Sequence, residues 1–181
     1  MQNKPNDLLL LAGQVLAIFL QIAIAIGALA LVIALPLVLF FQGEINAELV
    51  KEFEGAVGAF PLAAVMGAIA LALIAIGLAF VFFGKLRAII ATVGEGDPFA
   101  PENADRLSIM AWLLLAIQII AIPLGGLGLL IARWAEPLEN AEINIDAGMD
   151  LTSILMVIIL FILARVFRHG AAMREDLEGT V

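Results

Sequence analysis

The sequence predicts an all-α integral membrane four-helix bundle, N-in/C-in, with an amphipathic cytoplasmic helix-turn between helices 2 and 3. Three observations carry this. First, 64% of the 181 residues are hydrophobic and only 14% are charged, whereas a soluble domain has about half its residues apolar and about a quarter charged. Second, the apolar residues fall into four stretches, each bounded by charged or turn-forming segments. Third, seven of the nine basic residues fall on one side once those stretches are laid across a bilayer. The reading is of a single transmembrane domain over 1–181, with spans at about 8–40, 56–83, 108–132 and 147–167. A cytoplasmic loop covers 84–107 and a cytoplasmic tail 168–181.

Leu8 to Gly43 is free of charge for 36 residues. A cleavable leader has an apolar core of only about 7–15 residues, so the segment is expected to remain as the first span. It is longer than a ~30 Å hydrocarbon core requires and must tilt, bend or project. Pro36 is the expected bend or end, since it lacks the N–H that would bond four residues back. Gln14 and Gln21 lie seven apart, on one face. Bonds to a neighbouring helix are the plain explanation of such residues, and a polar path through the membrane is the functional one.

Gln42 to Gly55 reads as an acidic loop, with Glu44, Glu48, Glu52 and Glu54 against Lys51. Span two follows, with Ala63 and Gly67 in the small-xxx-small spacing that lets helices approach closely. Leu86, Ile89, Ile90 and Val93 recur at i, i+3, i+4 and i+7, so this helix is expected to continue as an amphipathic segment at the interface. Gly94 and Gly96 can take the left-handed conformation that stops a helix. Asp97-Pro98 makes a turn, and Pro101 suits the first position of the next helix.

Trp112 and Trp134 are 22 residues apart, about 33 Å of helix. That places an aromatic at each interface of span three. Gln118 lies between them, and Pro123 with Gly125-Gly126-Leu127-Gly128 should kink the span. Arg133 to Asp150 is acidic again. The charge-free part of span four, Leu151 to Ala164, is only 14 residues, short of the ~20 a crossing needs. It spans if Arg165 snorkels to one surface. Asp150 and Thr152 are N-cap candidates. The tail can continue as a helix with Val166, Gly170, Met173 and Leu177 on one stripe.

Lys4, Lys85, Arg87, Arg106, Arg165, Arg168 and Arg174 fall on one side, and Lys51 and Arg133 on the other. By the positive-inside rule both termini are cytoplasmic. This is the arrangement expected of a multi-pass protein of the bacterial cytoplasmic (inner) membrane.

No catalytic arrangement stands out, so an enzyme is not expected. With no cysteine and one histidine, His169, thiolate and bis-histidine metal sites are excluded within one chain. Gly94-Glu95-Gly96 lacks the Lys-Ser/Thr of a phosphate cradle. Ser153 is expected across the membrane from His169, and no ionisable residue lies mid-membrane. The net charge of −8 argues against direct nucleic-acid binding. No cofactor is expected.

The pattern Lys85-Leu86-Arg87…Gly96-Asp97-Pro98-Phe99…Asn103…Arg106-Leu107, followed by Val166-Phe167-Arg168-His169-Gly170…Arg174-Glu175-Asp176-Leu177-Glu178-Gly179-Thr180-Val181, resembles a bacterial four-span membrane family catalogued as domain of unknown function 2975. Its members are often encoded beside a small helix-turn-helix regulator of the Cro/CI type. The resemblance therefore implies a membrane regulator that binds a small cytoplasmic DNA-binding protein at its inner face. It makes Phe99, Asn103, Arg106, Phe167, Arg168 and Thr180 the residues to test, and the stripe adds Met173. Asn103 and Arg106 could equally be the bonds that shape the turn. The two inner stripes, Leu86/Ile89/Ile90/Val93 and Val166/Met173/Leu177, either pack on each other or form a groove for a partner helix. The alternative is a small transporter or channel component, with Gln14, Gln21 and Gln118 lining a path through a homo-oligomer. A structural subunit of a larger membrane complex fits the same residues.

Overall fold

Four helices account for 93% of the residues described in the computed structural model, which are 8–52, 58–139 and 151–178. They are α1 (Leu8–Glu52), α2 (Leu62–Gly94), α3 (Pro101–Glu139) and α4 (Leu151–Glu178). There is no strand among the described residues. Each helix holds a stretch long and apolar enough to cross a membrane: Leu8–Glu48, Leu62–Gly94, Pro101–Glu136 and Leu151–Leu177. The protein is thus an all-α, multi-pass membrane protein. Helices suit that solvent because every backbone N–H and C=O is satisfied within the segment.

Several boundaries differ from the sequence reading. Helix α1 continues through the acidic segment to Glu52, with Pro36 inside it rather than at its end. Helix α2 begins at Leu62, where the Pro61 carbonyl accepts the first helical bond from Val65 N–H at 3.0 Å. Pro123 and the glycines after it, where a kink is expected, lie inside α3. Helix α4 runs 28 residues, so the short charge-free run is only its apolar part. Residues 84–94 continue α2 and 101–107 open α3, so the non-helical part of the connection is Glu95–Ala100. The proposed cap Asp150, and Thr180, lie outside the described residues, while Thr152 is inside α4.

The chain divides into two units. The first takes Met1–Ala25, Leu78–Ile117 and Asp150–Val181, and so contains a segment of each helix. All of the fully buried described residues are in it. Leu107, Met110, Ala111, Leu160 and Ala164 form its core, with Phe82, Leu86, Ile89, Leu114, Phe161 and Phe167 packed around them. Trp112 stands at its edge, edge-on to Phe161 at 5.4 Å.

The second unit comprises Ile26–Gly77 and Gln118–Met149. Gly67 allows a close approach within it, since a Cβ there would sit 3.1 Å from Leu127 Cδ1. Trp134 Nε1 donates to the Gly58 carbonyl at 2.8 Å and its ring meets Phe60 edge-on at 5.4 Å. Phe60 N–H donates to Asn46 Oδ1 at 2.8 Å. These contacts give the indole the polar partner that a Trp at a wet, apolar boundary requires.

Candidate functional site: the α2–α3 turn and the end of α4

The first unit collects most of the residues singled out in the sequence around one short turn. Helix α2 closes with two paired bonds: Gly96 N–H to the Val93 carbonyl at 3.1 Å, and Asp97 N–H to the Thr92 carbonyl at 3.0 Å. This is the Schellman arrangement, which needs a left-handed residue at its corner. Gly96, with φ of 88°, supplies it. Gly94, the other glycine expected to stop the helix, is its last helical residue instead. Four residues after Asp97 the chain re-enters a helix at Pro101, where the missing N–H would have had no partner anyway.

Asn103 lies in the first turn of α3 and is fully buried. Its Nδ2 donates to Thr92 Oγ1 at 2.8 Å and to the Pro98 carbonyl at 3.1 Å. Its Oδ1 accepts from Arg106 Nη1 at 2.8 Å. The amide orientation is unambiguous, because two acceptors face one end and a guanidinium the other. The Thr92 hydroxyl donates its single proton to the Ile89 carbonyl at 2.9 Å, and Arg106 reaches the Ala88 carbonyl at 3.4 Å. Asn103 therefore ties α2, the turn and α3 together. No buried side-chain polar atom among the described residues lacks a partner, as a low-dielectric site demands. Asn103, fully buried, and Arg106, half-buried, both bond to the turn.

The end of α4 is fastened to this turn by one face. Phe99 lies over Gly170 so closely that a Cβ there would be 2.6 Å from its ring, and it meets the Phe167 ring at 5.5 Å. Arg168 pairs with Asp105 at 3.3 Å, and Arg174 with Asp97. Residues 167, 170 and 174 follow the i, i+3, i+7 spacing of a single helical face. Of these contacts, Gly170 and Arg174 were present in the motif without a role. Asp97 is legible in the sequence only as a turn former, and Asp105 and Thr92 carry no signal there, because their partners come from another helix.

The two inner stripes behave differently. Leu86 and Ile89 pack on the core, and Ile90 Cδ1 faces Gly13. Val166, Met173 and Leu177 remain exposed at 54%, 52% and 71%. Beside them is a groove of about 430 Å³ between Phe99 and α4, lined also by Ile162, Arg165, His169 and Gly170.

Gln21 Nε2 donates to the Phe80 carbonyl at 3.4 Å and lies against Gly84, the packing role expected for it. Gln14 is exposed. Gln118 belongs to the second unit.

The family model for "Protein of unknown function (DUF2975)" matches residues 44–181, which include the whole turn and the end of α4, and the chain belongs to that family. No curated protein and no solved structure matches the chain.

Proposed function

We propose that this DUF2975 member is a non-enzymatic regulator of the bacterial cytoplasmic membrane whose inner face holds a small helix-turn-helix DNA-binding protein. The observation that carries the reading is the form of α4. It continues as a helix to Glu178, well past the apolar run that ends at Ala164. One face is fastened to the turn. The exposed remainder presents Met173 and Leu177 among the carboxylates of Glu175 and Asp176.

An acidic, partly apolar helical surface complements a DNA-binding domain, whose nucleic-acid footprint is a basic patch. Occupying that patch would keep the regulator off DNA. Phe99, Asn103, Arg106, Phe167 and Arg168 act in this reading by holding the tail in position, and Met173 by direct contact.

The test is in-cell photo-crosslinking from Met173 in the source strain with the gene's own operon intact, where the family resemblance predicts a neighbouring small helix-turn-helix protein. We expect a discrete adduct with that protein, lost in a Glu175→Lys/Asp176→Lys variant, together with altered transcription of the operon. Adducts confined to this protein's own helices, with unchanged transcription when the gene is deleted, would refute the proposal.

A further inference from the structure

We infer that the groove between Phe99 and α4 is a binding site for one anionic phospholipid, its phosphate held by Arg165 and His169. Three observations support this.

The first is the state of the basic residues. Arg106, Arg168 and Arg174 each have a protein acceptor. Arg165 and His169 have none among the described residues. They are four apart on α4, which places them on the same helix face, and both line the groove. Two exposed basic side chains with no protein acceptor among the described residues, bordering one largely apolar cleft, are complementary to a phosphate at its rim.

The second is position. Arg165 is the first charge after the 14 apolar residues Leu151 to Ala164. The exposed side chains leading up to it, Leu155, Ile158 and Ile162, form an apolar column on the outside of α4. Ile162 and Val166 carry that column into the groove. A ligand here meets hydrocarbon-facing surface at one end and cations at the other, which is the polarity of a lipid at the edge of the bilayer. Basic pockets beside transmembrane helices are where anionic headgroups bind.

The third is size. A volume of about 430 Å³ is within the ~300–1,000 Å³ of small-ligand clefts. It suits a headgroup with the first part of a chain, and is small for a partner helix. The inference requires that the protein sit in a membrane; it does not require a regulator bound by the tail, although the two ligands would share Met173.

The experiment uses the purified full chain in detergent, mixed with equal amounts of phosphatidylglycerol and phosphatidylcholine, and counts retained lipids by native mass spectrometry. One phosphatidylglycerol per chain should be retained in preference to phosphatidylcholine. An Arg165→Gln/His169→Gln variant should lose that retention by about five- to twenty-fivefold, from roughly fivefold per basic residue at an anionic surface. Arg87→Gln, which removes an exposed base outside the groove, should leave it unchanged. A photo-crosslinker at Val166 in phosphatidylglycerol vesicles should give a lipid adduct.

Equal retention by wild type and the double variant would overturn the inference. So would competition by inorganic phosphate at equal concentration, or a Val166 adduct consisting only of a second copy of the chain.

Discussion

Replacing Asn103 with alanine tests whether the turn is held by its buried amide. The side chain makes two bonds to neutral acceptors, Thr92 Oγ1 and the Pro98 carbonyl, and accepts one from Arg106. Neutral bonds contribute about 0.5–1.5 kcal/mol each and a bond to a charged group about 1.5–3. The Arg106 share is discounted, since that side chain is only half-buried and keeps the Ala88 carbonyl within reach. Thr92 likewise keeps the Ile89 carbonyl. The Pro98 carbonyl loses its partner outright. About 2–4 kcal/mol of local stability should therefore be lost. The chain has no cysteine, so a single Ala100→Cys, at a position 7% exposed, reports opening of the turn alone through its rate of maleimide modification. Adding Asn103→Ala should accelerate that rate by about 30- to 700-fold, at 1.4 kcal/mol per decade. Acceleration of less than about threefold would mean that the amide does not hold the turn.

Three further outcomes follow from the same contacts. Gly96→Ala forces a β-carbon into φ of 88° and should destabilise the turn by about 1–2 kcal/mol, with Gly96→Asn costing less; the cysteine assay reads both. Gly170→Ala should loosen the tail, because the new methyl group would lie 2.6 Å from the Phe99 ring. In a Phe99→Ala background the same change should instead stabilise α4 by up to about 1 kcal/mol, alanine being the better helix former, and a thermal-unfolding double-mutant cycle would show the change of sign. Arg168→Gln should cost less than about 1 kcal/mol, since its pair with Asp105 is solvent-exposed and such pairs contribute little; a larger loss in the same melt would contradict that.

What was legible in the sequence was what the membrane or a single turn imposes locally. Four apolar runs must become four helices because lipid offers the backbone no other partner. The stop at Gly96 and the restart at Pro101 follow from two residues with restricted or unusual backbone preferences. The error at α1 has a physical cause. Residues 42–52 read as loop by their acidity, yet Glu44, Glu48 and Glu52 lie four apart and only Gly43 among them is a helix breaker. Charge ends an apolar surface; it does not end a helix. The same confusion made the fourth span look short. The Asn103 network could be suspected from the motif but not assigned, since Thr92 becomes its partner only through the register of α2 against α3.

That register has a consequence for α4. Crossing a membrane requires apolar length, and Leu151 to Ala164 with its flanks supplies it without help from the turn. Beyond Ala164 charged residues break the apolar run, and isolated helices of this length are marginal in water. The end of α4 is helical where it has contacts: Phe99 on Phe167 and Gly170, Asp105 on Arg168, Asp97 on Arg174. Phe99, Asp97 and Asp105 all sit in or beside the segment that Asn103 holds together. Disrupting Asn103 should therefore act at a distance, exposing the backbone of residues 167–177 to hydrogen exchange while leaving 151–164 protected. If both segments kept the same protection, the tail would be helical by its own propensity, and the turn would have no part in presenting it.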